Sequence, residues 1–469
     1  VRKYLDLTGL HYLVNTTVNL YNQRCGLRVE GVEGAEIFNS YVGNNKCVAS
    51  GTYSHAEGYG TRAIGYHAHS ENNGTLAAGV GSHAEGVGSQ SLDVGSHAEG
   101  LNSRAIKRAS HAEGFATETN GECSHSEGQS TRANGENSHA EGLLTVSNGG
   151  NSHAEGYGSK SSGAAAHAEG WESVSSGAQS HAEGAGSKSI GASSHAEGSS
   201  SIAYGLCDHA EGNACIAGVS PSTSLGEVPI QTNYNHAEGF TTQASGGNGA
   251  HSEGLTTGAT GSAAHAEGKT THAEGANSHA EGNETYAIGE SSHSEGRGSR
   301  SKGDYTHSEG YGSTSTGNFS HSEGQSSKAI GIGCHVEGYN CICYVSNSHV
   351  EGMSCVAGIS PTDENPKPEN NFTACHVEGA SCRAEAGFTH VEGYGCIATS
   401  EYQHVQGIHN KLSTHIFVIG NGTDGNRSNA FSVDNYGKIY VNNSETGVDV
   451  LDLLNRITAL EEKVAALTS

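Results

Sequence analysis

A chain of 469 residues with 69 glycines, one Trp, one Met and 33% apolar residues lacks the material for several large hydrophobic cores. Five prolines exclude collagen and proline-rich linkers, and glycines on a long fixed period mark an ordered repeat. A formal charge of −26 with no Lys/Arg cluster argues against nucleic acid, and no apolar run reaches the roughly 18 residues of a membrane span.

Residues 1–38 read as an N-terminal attachment segment, in which Leu7, Leu10, Val14 and Val18 line one face of an expected short helix. Its opening, VRKYLDLTGL, lacks the apolar core of a signal peptide, so neither Sec export nor membrane insertion is expected. GAEIFNSYVGNNKCVASG then leads into a shaft, residues 39–410.

From His55 to His209 a histidine recurs every fourteen residues, nearly always opening the word His-(Ala/Ser/Val)-Glu-Gly. The series resumes from His236 to His349 and from His376 to His404, giving 24 copies, with one extra at His272. The intervals 209–236 and 349–376 are each 27 residues, one coil plus a 13-residue insertion. The inserted loops, 217–235 and 357–375, both begin Ala-Gly-(Val/Ile)-Ser-Pro.

Each period divides into two sevens, as in Ser54-His55-Ala56-Glu57-Gly58 and Thr61-Arg62-Ala63-Ile64-Gly65. Each seven has the pattern of a short strand and a glycine turn. Strand alternation puts His and Glu on one face and the small middle residue on the other. Stacked in parallel, such coils form a narrow all-β solenoid; 24 of them at roughly 4.8 Å extend about 110 Å. A coil so thin buries little surface alone, so chains are expected to associate along it. His272 and Glu274 fall in the second-strand slot, and the expectation is that they face away from His265 and His279, toward solvent.

The repeat carries 24 motif Glu, because Gln406 breaks the word and Glu274 restores the number. The chain holds 50 acids and 24 Lys and Arg, so without the motif Glu it is almost neutral. Second-strand positions vary freely (Arg62 and Ile64, Lys160 and Ser162), as suits a wet face, whereas the first-strand pair is constant. A constant pair implies a constant environment, most simply the same face of a neighbouring chain. The expectation is a hydrogen-bonded ladder at a subunit interface, formed by His55 and Glu57, His83 and Glu85, His97 and Glu99, His111 and Glu113, His153 and Glu155, His181 and Glu183, His195 and Glu197, His279 and Glu281, His321 and Glu323, and their equivalents. Its His should titrate near or above about 6.5 and its Glu near or below about 4.3, and acid should weaken assembly.

Metal binding competes with this reading, since His and carboxylate suit Zn²⁺ or Ni²⁺, but a His-x-Glu pair in one strand is a weak signal and no cofactor is expected. Catalysis ranks last: two dozen identical copies are the opposite of one active site, and no Cys pair accompanies His-x-Glu as a zinc deaminase requires. The calcium-solenoid signature Gly-Gly-x-Gly-x-Asp is absent.

Seven of twelve cysteines lie between 334 and 396. Cys341, Cys355, Cys382 and Cys396 take the slot six residues after a motif His, and Cys334 and Cys375 immediately precede one; these slots otherwise hold mostly Ser, Thr or Asn, so structural thiols are expected. Tyr59, Phe115, Tyr157, Trp171, Phe240, Tyr311, Tyr339 and Tyr394 follow motif glycines and read as filling grooves between chains, in preference to stacking on sugars. Residues 411–447 offer short apolar strands and Asn/Gly/Asp turns, a compact β cap. In 448–469, Val450, Leu453, Ile457, Leu460, Val464 and Leu467 form a short heptad seam, a coiled coil that by itself favours two strands.

The fourteen-residue Ser-x-Ala-x-Gly coil resembles the head repeat of trimeric autotransporter adhesins of the YadA-like type. KYLDLTGL, GAEIFN, the strings of SHAEG and FVIGNGTDGNRSNAFSVD together resemble tail-fibre and other virion appendage proteins of phages infecting Firmicutes. The resemblance implies a left-handed β-roll and a homotrimer, which overrides the two-strand preference of the short tail. The adhesin branch carries a secretion signal and a membrane anchor, neither visible here, which favours a virion part over a bacterial cell-surface adhesin or filament. The expectation is therefore a phage fibre whose N-terminus attaches to a baseplate or other virion protein and whose distal part contacts a glycan or protein of the host surface. Loops on a rigid scaffold are the natural contact points: Ser222, Thr223, Glu227, Gln231 and Tyr234 in the first insertion, and Asp363, Glu364, Lys367, Asn370 and Phe372 in the second. No catalytic residue is expected, because a fibre-borne depolymerase would need a privileged carboxylate pair outside the repeat.

Overall fold

The computed structural model describes residues 28–29, 36–38, 47–220, 233–359, 373–443 and 450–468. It is a parallel β-solenoid of fourteen-residue coils, and the chain divides into two units, Val1–Phe240 and Thr241–Ser469. Both are built from the same coil. In one example, strand His167–Trp171 is followed by a tight turn, strand Val174–Ser175 and a second turn. The histidine strand pairs in register with its counterpart one coil on, His167 opposite His181 and Glu169 opposite Glu183. The second strand does the same, Val174 opposite Lys188. Two parallel sheets result, and every side chain sits on its own equivalent from the next coil.

Four positions per coil point inward, here Ala166, Ala168, Ser173 and Ser175, all buried. The sheets lie close together, which is why these slots mostly hold Ala, Ser, Thr, Cys or Val; Asp208, Asn235 and Gln403 are larger buried exceptions. Buried hydroxyls need acceptors, and the coil supplies them from its turns. Ser180 donates to the Gly177 carbonyl at 2.7 Å and Ser173 to the Gly184 carbonyl of the next coil at 3.0 Å.

Most coils carry two glycines at points of close approach to the next coil, although Asp93, Lys107 and Val345 take the second slot in theirs. At Gly170, φ is +98° and a Cβ would strike the carbonyl oxygen of Gly184; at Gly177 a Cβ would strike that of Gly191. The turns also hold two left-handed residues per coil, such as Ala165 and Glu172 at φ of 54° and 53°. A non-glycine residue there is strained, but each donates its N–H across coils, Glu172 to Tyr157 at 2.7 Å and Ala165 to Gly150 at 2.8 Å. The turns are thus hydrogen-bonded as regularly as the strands.

The parallel stack begins earlier than residue 39. Strand Arg28–Val29 pairs with Val48–Ala49, and Glu36–Phe38 pairs with His55–Glu57. The alternation of Glu36-Ile37-Phe38 matches His-Ala-Glu in register, so backbone pairing extends into a segment that lacks the repeat word. Both long intervals keep the stack intact: His209 pairs directly with His236 and His349 with His376.

The stack also runs past residue 410. Strand His404–Ile408 pairs in parallel with Phe417–Asn421, which then pairs antiparallel with Asn429–Val433, itself antiparallel to Ile439–Val441. Phe417 takes the histidine slot, its ring 5.1 Å from His404. Toward this end the interior becomes more apolar, with Val336, Val350, Val377, Val391, Val405 and Val418 where earlier coils have Ala or Ser, and with Cys beside them. The final helix, Val450–Thr468, leaves Leu453, Ile457, Leu460 and Leu467 exposed. No helix among the described residues is long and apolar enough to cross a membrane.

Candidate functional site

The histidine strand places His and Glu on one outward face of every coil, and in-register pairing turns them into two columns. Strand spacing sets the imidazole spacing. Ring centroids of His69 and His83, His83 and His97, and His97 and His111 lie 4.7, 4.8 and 4.6 Å apart, with planes within 5° of parallel. Further along, His195 and His209 are tilted by 36°, and His279 and His293 by 24°.

The carboxylates stand beside the rings, mostly beyond hydrogen-bond distance within the single chain. Nε2 lies 3.5 Å from its own coil's carboxylate in His55–Glu57, 3.8 Å in His97–Glu99, 3.7 Å in His111–Glu113 and 3.6 Å in His153–Glu155. The distances are 4.0 Å in His181–Glu183, 3.7 Å in His195–Glu197 and 3.8 Å in both His279–Glu281 and His321–Glu323. His83 turns instead to Glu71 of the preceding coil at 3.4 Å, while Glu85 faces His97 at 3.7 Å. Glu113 spans two rings, with His125 at 3.9 Å on its other side. Of these pairs only His55–Glu57 has hydrogen-bond geometry. The Nε2 atoms of His83, His97, His111, His153, His181, His195 and His279 are buried without a hydrogen bond. Within the single chain a fixed rise near 4.7 Å stacks like on like, which turns each ring flat against the next and away from a linear bond to Glu.

The electrostatics correct the sequence expectation as well. Burial, reinforced by neighbouring imidazoles in the column, holds His69, His83, His111, His125, His153, His195, His279, His293, His307 and His321 below the ordinary histidine range, opposite to the direction expected of salt-bridged His. The carboxylates alternate. A hydrogen bond shared with Glu127 raises both Glu113 and Glu141 to about 7, and the same contacts pull Glu127 down; Glu155 is lowered by Glu141. Glu99, Glu113, Glu127, Glu141 and Glu155, with the motif glycines, line an open groove of about 540 Å³.

His272 behaves as the repeat arithmetic requires. Strand His272–Ala273 pairs with Gly258–Ala259 and Tyr286–Ala287, not with the strands of His265 and His279. Its ring stacks on Tyr286 at 4.9 Å, and Glu274 is exposed. The cysteines take the roles of the serines they replace: Cys341 donates to the Gly352 carbonyl at 3.3 Å and Cys382 to Gly393 at 3.2 Å, as Ser173 does to Gly184. All cysteines among the described residues are free thiols. Among the aromatics, Tyr59, Phe115, Trp171, Phe240, Tyr311, Tyr339 and Tyr394 are exposed, and Tyr157 stacks on Trp171 at 4.1 Å.

Ser222, Thr223, Glu227, Gln231, Asp363, Glu364, Lys367, Asn370 and Phe372 lie outside the described residues. Tyr234 is described; it is exposed, with φ of 61°. Sequence reasoning missed the clamp beneath the first insertion. The buried Asp208 carboxylate accepts from the Gly205 N–H at 2.6 Å, the Asn235 N–H at 2.9 Å and the Asn235 side-chain amide at 3.2 Å. Burial raises its pKa, and these bonds oppose the rise. The signal was available: Asp208 and Asn235 interrupt the Ser/Ala run that precedes the histidines.

No protein-family model matches the chain, and no curated protein matches it.

Proposed function

We propose that the chain is the shaft subunit of a homotrimeric fibre on a phage tail or other virion appendage, giving reach and binding the host surface. The observation that carries this reading is the constant histidine–glutamate face, on which the Nε2 atoms of His83, His97, His111 and His153 are buried without hydrogen bonds inside the single chain while the side chains stay about one-third exposed (His83 33%, His153 34%). A face that repeats without change, and is neither fully covered nor fully solvated, suits packing against its own copies about an axis. The exposed Leu453, Ile457, Leu460 and Leu467 of the last helix support the same association, as a short coiled coil. In this reading the solenoid is a left-handed roll, the antiparallel strands after Phe417 are its cap, residues 1–38 attach to a baseplate or other virion protein, and the two insertions contact a glycan or protein of the host.

The test has two parts. Light scattering on the full chain should give three times 48.1 kDa, and images should show rods about 110 Å long or more. Labelled protein should bind cells or wall polysaccharide of a Gram-positive panel and compete with phage adsorption. A monomer of compact particles would remove the fibre reading, and release of reducing ends from that polysaccharide would replace it with a depolymerase.

A further inference from the structure

We propose that the histidine–glutamate column is a linear array of binding sites for borderline divalent transition-metal ions, zinc foremost. Each ion would be held by the Nε2 atoms of two adjacent coils and the carboxylate between them.

The ligand sets are repeated along the chain. His55, Glu57 and His69; His69, Glu71 and His83; His97, Glu99 and His111; His111, Glu113 and His125; and His139, Glu141 and His153 each bring three donor atoms within 4.8 Å of one another. The separations are diagnostic. A carboxylate oxygen 3.6 to 3.8 Å from Nε2, as at His153–Glu155, His111–Glu113 and His97–Glu99, is too far for a good hydrogen bond. It is close to the edge of a tetrahedron around zinc, about 3.4 Å for bonds of about 2.0 to 2.1 Å. The second imidazole is farther and must tilt toward the ion. That freedom exists, since neighbouring rings range from nearly parallel at His83–His97 to tilted by 36° at His195–His209. The buried Nε2 atoms of His83, His97, His111 and His153 have no hydrogen bond to give up, and the partial exposure of the column leaves room for a water as fourth ligand.

The donor set selects the ion. Two imidazoles and one carboxylate suit zinc, nickel or copper and not calcium or magnesium, which take oxygen. Each ring offers one inward nitrogen, so the array saturates at no more than one ion per two coils. Every ligand set comes from one chain, and the proposal therefore stands whether or not chains associate. His272 supplies an internal control: its stacked neighbours are Gly258 and Tyr286, so the same letters on the second sheet make no site.

The full-length chain is stripped with chelator, dialysed against micromolar zinc and assayed for bound metal. Several ions per chain are expected, never more than half the number of column histidines. A variant with Glu99, Glu113, Glu127, Glu141 and Glu155 all changed to Gln keeps the imidazoles and should lose the ions of that stretch or bind them at least about tenfold more weakly. His272→Gln with Glu274→Gln should bind as the unaltered chain does. Fewer than one ion per chain, or a five-fold Gln variant that binds normally, overturns the proposal. Should that variant fail to fold, cobalt loading of the unaltered chain decides: visible bands of tetrahedral nitrogen and oxygen ligation support the array, whereas a thiolate charge-transfer band assigns the metal to the cysteines and overturns it.

Discussion

At Gly170 and Gly74 the same amino acid does two jobs. Gly170 is pressed against the next coil's carbonyl, whereas Gly74, at φ of +67°, has nothing within 4 Å of a Cβ. Gly74→Ala should therefore cost only the left-handed strain, about 1 to 2 kcal/mol, and Gly170→Ala about 3 kcal/mol or more, because the coils must part. Thermal unfolding of the two variants measures the contrast, and equal losses would contradict it. The histidines carry a second prediction at this scale. A base held below its ordinary pKa binds protons more weakly folded than unfolded, so its contribution is complete above about 6.5 and declines as pH falls below that. Ten histidines act this way. Glu113 and Glu141, raised to about 7, oppose them below neutrality but are fewer. Net destabilisation between pH 7.5 and 5.5 is expected in thermal melts; a flat profile would show the columns to be energetically idle.

At the scale of the strand, identity of residue matters less than which sheet it joins. His153 lies between flat rings at 4.7 and 4.8 Å, whereas the slot of His272 is filled elsewhere by Arg62, Lys160 and Lys188. Arginine at position 272 should be silent, while His153→Arg inserts a permanent charge into the column and should cost about 1 to 3 kcal/mol. Hydrogen exchange of strands His139–Ala140 to His167–Trp171 would report the loss locally. The strand is also where the sequence was most legible. Period, face and inward slots follow from alternation and glycine spacing alone, which is why the coil, the cysteine slots and the place of His272 could be read in advance. What fills the gap between neighbouring side chains could not. The difference between a His–Glu bond and a His–His stack rests on ring rotation within an ångström, which no spacing in the sequence encodes. The extension of pairing to Glu36–Phe38 and Phe417–Asn421 was hidden for a simpler reason, since neither segment contains the repeat word.

For the molecule as a whole, in-register pairing makes coils exchangeable units. Both 27-residue intervals preserve the pairing of the histidines that flank them, so added residues between coils leave the stack undisturbed. Removing residues 154–167, one whole coil, should yield a folded chain whose stack is one strand spacing, about 4.8 Å, shorter. Sensitivity of the melting profile to that deletion beyond a small shift would mean that individual coils are not interchangeable.

The slot occupied by His272 has a consequence for how such a chain can change. Because seven residues make one strand and one turn, loss or gain of a half-period is also sterically permitted, but it transposes everything downstream onto the opposite sheet. The molecule therefore has a phase as well as a length. Recombination between near-identical words that slips by fourteen alters only reach. A slip by seven sends the remaining histidines to the far side, so that those before and after it stand on opposite sheets.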